Sequence, residues 1–401
     1  MVTPNPLLSD VLSTLDARFP PSTAESWDRV GLVVGDPRQS VRKVLFAVDP
    51  VSVVIEEALE WGADLLVTHH PLLLDPVSSV AVTTAKGAAI TALVRGGCAL
   101  YVAHTNADAA DGGVADALAD VVGLVDRRPL VAAQAHALDK HVVYVPTPSA
   151  AALVDAMSAA GAGAIGEYSR VAWTTTGTGT FVPSDDAHPA IGSAGVVEEV
   201  DETRVEMVAP RALRDAVLAA VRAAHPYEEV AFDVLELAPR DSTTGLGRVG
   251  TLERRSTLRE LAEHVAAGLP PTAQGVRVAG DLDAKVVSVA VLGGSGGSLF
   301  DAVRAAGVDV YVTSDLKHHQ VSELREEVEF QAVADGRAPQ SATPFIIDTA
   351  HFASEWPWLQ LAARDLVHDV GAIGTTVETR VSTRRTDPWV ARFGPSDPVE
   401  N

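Results

Sequence analysis

The sequence predicts an α/β chain: a discontinuous α/β host domain formed by both chain ends, with a ferredoxin-like α+β domain inserted between them. Two observations carry that reading. Apolar, β-rich runs alternate with helical patterns over residues 41–104 and again over 285–367, and such alternation implies βαβ units around a parallel sheet. Between them, from about Lys140 to Leu237, the order reads β-α-β-β-α-β, the ferredoxin-like pattern. The expected boundaries are 1–134 for the first part of the host, 135–242 for the insert, 243–380 for the second part and 381–401 for a tail.

In chain order, "VRKVLFAVD" reads as a strand, and Asp49-Pro50 as a helix start with a capping carboxylate. "VSVVIEEALEWG" follows as a helix ended by Gly62, then the strand "ADLLVTHH", a helix around "TTAKGAAITALVRGG", and the strand "ALYVAH". The middle contributes "HVVYVPTPSAAALVDAMSAAGAG" as strand and helix, a Gly/Thr/Ser-rich stretch, "VVEEVDETRVEMVAP" as a hairpin, a helix from Arg211, and the strand "VAFDVLEL". "RDSTTGLGRVG" (240–250) reads as a linker. Beyond it come the strand "KVVSVAVLGG", the helix "SLFDAVRAAG", the strands "VDVYVTSD" and "TPFIIDTA", and the helix "HFASEWPWLQLAARDLV". The last stretch, from "STRRTDPWV", has no periodicity and is expected to fray.

Composition excludes several classes. A net charge of −22 with 31 Lys+Arg argues against a general nucleic-acid binder, which concentrates cations on phosphates, and against an anionic membrane surface. One cysteine rules out an intramolecular disulfide or a cysteine-rich zinc site. No basic-then-apolar leader and no run of ~20 apolar residues occurs, so a cytoplasmic protein is expected.

The chemistry is concentrated in "THHP" (68–71), "HTNAD" (104–108), "GGSGG" (293–297), "TSDLKHHQ" (313–320) and "DTAHFASE" (348–355). Each falls at the C-terminal end of a predicted strand, the functional edge of a parallel sheet. His69 and His70 are adjacent, and neighbours on a regular strand face opposite ways; one is a bystander, or the backbone leaves strand geometry and each serves a different atom. His351 and Glu355 are four apart and share a helix face. His104 and Asp108 have the same spacing, although Asn106 and the following "DGG" suggest a loop. Imidazoles with carboxylates and no thiolate suit Zn, Mn, Fe or Ni, and two ions could each take one histidine of the pair, with a carboxylate bridging. The glycines at 293, 294, 296 and 297 are out of register for a dinucleotide fingerprint, and no P-loop lysine follows; a tight turn lining the site is the reading. In "HPYEE", His225-Pro226 ends a helix and Tyr227 packs.

Together with "ESWDRVGLVVGDP", these motifs in this order resemble the NIF-three-like family, whose members carry the label GTP cyclohydrolase I type 2 homologue. The resemblance covers residues 1–130 and 245–375, and the middle resembles the PII/CutA-like insert of longer bacterial members. It implies two divalent metal ions per subunit held by His69, His70, Asp108, His351 and Glu355, with His104 nearby and Asp315 and His319 lining the same cavity. It also implies a toroidal homohexamer. His319 or His104 is the expected proton shuttle, with Asp315 beside them, in a metal-dependent hydrolase acting on a nucleotide or related heterocycle. The alternative is a non-enzymatic metal-binding regulatory or assembly protein. Ser314, His318, Ala350 and Arg29 depart from the family's usual Gly, Tyr, Gly and Asn; none is an expected ligand.

Overall fold

The computed structural model describes residues 5–133, 137–166, 168–238 and 242–393. These fall into two compact units, one made from the chain up to Ala133 and from Thr243 onward, the other from the segment between. The expected boundary residue 135, residues 240–241 of the expected linker and residues 394–401 of the expected tail lie outside the described residues.

The first segment runs α1 (Leu8–Arg18), β1 (Gly31–Val34), β2 (Lys43–Ala47), α2 (Ser52–Trp61), β3 (Leu65–Thr68), α3 (Ala85–Gly96), β4 (Ala99–Val102), α4 (Thr105–Ala109), α5 (Val114–Val122) and β5 (Leu124–Ala132). Gly62 ends α2 in the left-handed conformation at φ 73°, the usual glycine stop. Asp49 does not cap α2, whose N-cap is Val51; its carboxylate has another use. "HTNAD" forms the short helix α4 rather than a loop.

The middle segment runs β6 (Leu138–Pro146), α6 (Ala150–Ala159), β7 (Trp173–Phe181), β8 (Glu198–Pro210), α7 (Arg214–Ala224) and β9 (Phe232–Glu236). Its strands pair in the order β7-β8-β6-β9, all antiparallel. The expected hairpin "VVEEVDETRVEMVAP" is instead largely one long strand, β8, and its partner β7 is drawn from the Gly/Thr-rich stretch. Threonines supply β-branched strand residues there.

The last segment runs β10 (Gly245–Thr257), α8 (Leu258–Gly268), β11 (Arg277–Ala279), β12 (Lys285–Ser295), α9 (Phe300–Ala306), β13 (Val310–Ser314), α10 (His318–Ala334), β14 (Phe345–Thr349), α11 (His351–Ala372) and β15 (Glu378–Val381). Most of the expected linker is therefore strand β10. The expected tail, 381–401, starts on the last residue of β15, and beyond it Ser382 and Asp387 are buried.

The host unit contains two sheets, ordered β1-β4-β3-β2-β15 and β11-β14-β13-β12-β10-β5. Each is parallel at its centre and antiparallel at one or both margins. The parallel strands β3 and β4 are buried at every position, which is why they read as continuous apolar runs rather than alternating ones. The chain ends interlock: β5 from the first segment completes the second sheet, and β15 from the last completes the first. Helix α11 joins the two layers. Phe352, Trp358 and Leu359 pack with Phe46, Val67 and Tyr101 of the first sheet, while Ala350 and Ala353 pack with Val289 and Val291 of the second. Among the described residues no helix is long and apolar enough to cross a membrane.

Candidate metal centre

Strand β3 stops at Thr68, and the chain bends through His69 and His70. The departure from strand geometry lets both rings turn inward, their centroids 5.1 Å apart and their planes tilted by 43°. Helix α11 begins on His351, and one turn later Glu355, 3 % exposed, points back at the same place. Helix α4, capped by His104, delivers Asp108.

The histidines share one arrangement. His69 Nδ1 meets the Ala103 carbonyl at 2.9 Å, His70 Nδ1 meets Asp49 at 2.7 Å, His104 Nδ1 meets Asp28 at 2.9 Å, and His351 Nδ1 meets Asp315 at 2.7 Å. With an N–H donated outward at each Nδ1, every Nε2 is left to face inward, the orientation of metal-ligating imidazoles backed by a carbonyl or carboxylate. Glu355 sits among these nitrogens: His351 Nε2 is 2.9 Å from its Oε1, His70 Nε2 3.2 Å from Oε2 and His69 Nε2 3.5 Å from Oε1. Asp108 approaches His69 Nε2 at 3.7 Å. Two groups with donor atoms within 4.8 Å of one another emerge, His69/His70/His104 and His70/His351/Glu355. They share His70.

The donors fit divalent cations. His69 Nε2 and Glu355 Oε2 are buried without a hydrogen bond, and a buried polar atom left unsatisfied costs about 1–3 kcal/mol. An ion held by both removes that cost. The charges agree. Burial works against ionisation, but the His70 and His69 rings hold the Glu355 carboxyl well below the usual range. Burial likewise opposes the charge on His70, yet Glu355 and Asp49 push it up to about 11; His351 rises to about 9 against burial, through Glu355 and Asp315. Burial carries Asp108 up to about 6. His104 moves the other way, lowered by burial and then by His69, so its ring stays neutral.

The glycine turn shapes the wall. Gly294 sits at φ 68°, and a Cβ there would lie 2.5 Å from Glu355 Oε1, so no larger residue fits beside the carboxylate. Its amide donates to Ser354 Oγ at 2.9 Å and its carbonyl accepts from Ser314 Oγ at 2.6 Å. That amide is committed and does not cradle a phosphate. The Ser314 hydroxyl, a departure from the family's glycine, thus fastens the turn.

Of the residues singled out in the sequence, His69, His70, His104, Asp108, Asp315, His351 and Glu355 come together. Asp315 is a partner of His351 Nδ1, held at φ 57° after β13. His319 is not brought in: it lies exposed on the first turn of α10, its ring 5.3 Å from that of His318. His225 ends α7 with Nε2–H donating to the Tyr144 carbonyl at 2.8 Å and Nδ1 accepting from the Tyr227 amide at 3.0 Å, a structural use. Sequence reasoning missed Asp28 and Asp49. Each sits in a quoted motif, but its imidazole partner is 76 or 21 residues away.

This α/β chain gathers imidazoles and buried carboxylates at strand ends, with outward-anchored rings, in groups whose donor atoms could hold a metal ion. A family profile described as Duf34/NIF3 (NGG1p interacting factor 3) matches residues 6–388, and the chain belongs to that family. A Mycobacterium leprae protein named GTP cyclohydrolase 1 type 2 homolog is 49 % identical over 385 residues, spanning 95 % of this chain and 94 % of its own. A Bacillus subtilis protein of the same name is 40 % identical, spanning 77 % and 82 %. Among solved structures, a Bacillus cereus protein related to NIF3 superposes with TM-score 0.72 at 36 % identity, covering 96 % of this chain and 99 % of that one. A Staphylococcus aureus protein gives 0.78 at 27 %, covering 96 % and 98 %.

Proposed function

We propose that this chain is a dinuclear metal-dependent hydrolase acting on a nucleotide or related heterocycle. The observation that carries the reading is the set of inward Nε2 atoms around Glu355, each ring anchored through Nδ1. His69, His70, Asp108, His351 and Glu355 would hold two divalent ions, with Glu355 the carboxylate best placed to be shared. When bound, such ions supply an activated water and charge stabilisation for the developing anion.

The chain's own groups do the rest. His104, neutral and anchored by Asp28, offers a ring nitrogen that can take a proton and return it to a leaving nitrogen; His319, exposed on α10, leaves that role to it. Asp49 and Asp315 keep His70 and His351 in one ring orientation. A cavity of about 650 Å³ opens on His70, walled by Pro50, Ile55, Leu59 and Leu72 with Lys86 at its border. Its volume suits a heterocycle-sized substrate. The names of the relatives support the nucleotide class, and the β7-β8-β6-β9 order with two helices supports reading the middle segment as a ferredoxin-like insert.

Elemental analysis after purification tests the site. Glu355→Ala and His69→Ala are each expected to lose most bound metal, while Arg29→Asn, whose guanidinium donates to the Trp27 and Asp28 carbonyls, keeps it. Unchanged metal in both ligand variants would sink the assignment. Turnover of a nucleotide panel by Mn-, Zn- and Fe-loaded protein tests the reaction; full metal with no turnover on any member would leave a metal-binding protein without hydrolase activity.

A further inference from the structure

The middle unit contains a cavity of its own, about 380 Å³, unrelated to the histidine cluster. Its walls are aromatic: Tyr144 on β6, Phe181 on β7 and Tyr227 just beyond α7. The Phe181 and Tyr227 rings meet edge to face, their centroids 5.7 Å apart. Pro183, Pro189 and Ile191 close one side, and Glu228 steadies that loop by accepting from the His188 amide at 3.1 Å. The volume lies within the ~300–1,000 Å³ of small-molecule sites.

The ionisable lining is acidic throughout, namely Glu202, Glu228 and Glu229, with no lysine or arginine among the lining residues. Gly179 gives Glu202 its place, because a Cβ there would run into the carboxylate. The Tyr227 hydroxyl is buried beside Glu202 without a hydrogen bond of good geometry. The guanidinium of Arg204 stacks over the Tyr144 ring at 5.9 Å and pairs through one terminal nitrogen with Glu206 at 2.9 Å, its Nε buried without a hydrogen bond; among the described residues Glu202, Glu228 and Glu229 form no ion pair. Aromatic faces are negative and attract cations. Carboxylates without cationic partners repel anions and reward a positive charge that enters between them.

We propose that this cavity binds a small organic cation, an ammonium or guanidinium group carried on an apolar or aromatic body. Tyr144, Phe181 and Tyr227 enclose the body, and Glu202 pairs with the charge. The occupant is chemically distinct from the anionic substrate class suggested for the metal centre, so the two sites are separable by experiment.

Calorimetric titration of the full chain with benzyltrimethylammonium and with phenylguanidinium tests this, with benzoate and benzyl alcohol as controls at equal ionic strength. Saturable one-site binding is expected for at least one cation and none for benzoate. Glu202→Gln, on a partly exposed side chain, should weaken the cation about tenfold, and Phe181→Ala by a similar factor, while bound metal stays unchanged in both. Equal binding of benzyl alcohol or benzoate would overturn the proposal. So would no saturable heat for either cation, or Glu202→Gln binding as well as the parent chain with circular dichroism showing it folded.

Discussion

At the scale of single residues, the protons of the cluster are the most informative feature. In the metal-free protein His70 and His351 are raised to about 11 and about 9 by Glu355 and their carboxylate partners, against burial, so both rings are protonated at neutral pH. Their Nε2 atoms face each other at 3.2 Å. A metal needs those nitrogens bare. Ion uptake near pH 7.5 should therefore release protons, and affinity should rise with pH through about 9, where His351 loses its proton, and on toward about 11, where His70 does. Titrations in buffers of different ionisation enthalpy read the release directly; heats independent of buffer would refute it. The same shifts fix the metal-free stability. A raised histidine stabilises fully below its unfolded value of about 6.5. For His351 that contribution fades as pH climbs through about 9. The His351/Glu355 pair was legible in the sequence because helical spacing alone places both on one face. The roles of Asp28 and Asp49 were not, since they depend on contacts across distant segments.

At the scale of elements, the stretch 240–250 shows how composition misleads. Its glycines suggest a linker, yet Gly245 and Gly247 sit at φ 146° and 64°, where a Cβ would strike the carbonyls of Val131 and Val291. They are glycines of a tightly packed strand margin. Between them and the rest of β10, Arg248 is 2 % exposed. Its guanidinium bonds Asp116 on α5 at 2.8 and 2.9 Å and the carbonyls of Ala110, Gly245 and Gly247. Ala110 follows directly on the helix that carries Asp108, so one side chain binds β10, α5 and the segment after α4 together. Arg248→Met takes the cationic partner from the Asp116 carboxylate, which keeps only the Gly112 amide among the described residues, and from the Ala110 carbonyl, which keeps the Gly113 amide. Breaking a buried pair on one side costs about 3–5 kcal/mol, a loss that denaturant unfolding monitored by circular dichroism will measure. A change under about 1 kcal/mol would mean that water takes over these groups. The β7–β8 pairing was unreadable for the converse reason: a Gly/Thr-rich strand lacks the apolar alternation by which strands are recognised.

At the scale of the whole molecule, the alternation of strands and helices made the α/β class and the interruption legible. The division of the host into two interlocked sheets was not, because strand order is decided by crossovers that no local pattern records. The family resemblance leads us to propose a hexamer, and light scattering should give six times the 41.9 kDa chain mass; a monomer mass at every dilution excludes it.

The discontinuity itself yields the sharpest test. Strand β5 ends at Ala132 and β10 begins at Gly245, and these two residues are paired neighbours in one antiparallel ladder. The chain therefore leaves the host and re-enters it across a single strand spacing of about 4.8 Å. A turn of about two to four residues can join antiparallel strands at that separation. Replacing residues 134–243 by such a turn keeps every residue of the histidine cluster, the Arg248–Asp116 pair and both sheets. The shortened chain is expected to unfold cooperatively and to bind metal as the full chain does, while losing whatever the middle cavity binds. An aggregated product would instead mean that the host depends on the segment it encloses, and the two-unit reading would fail.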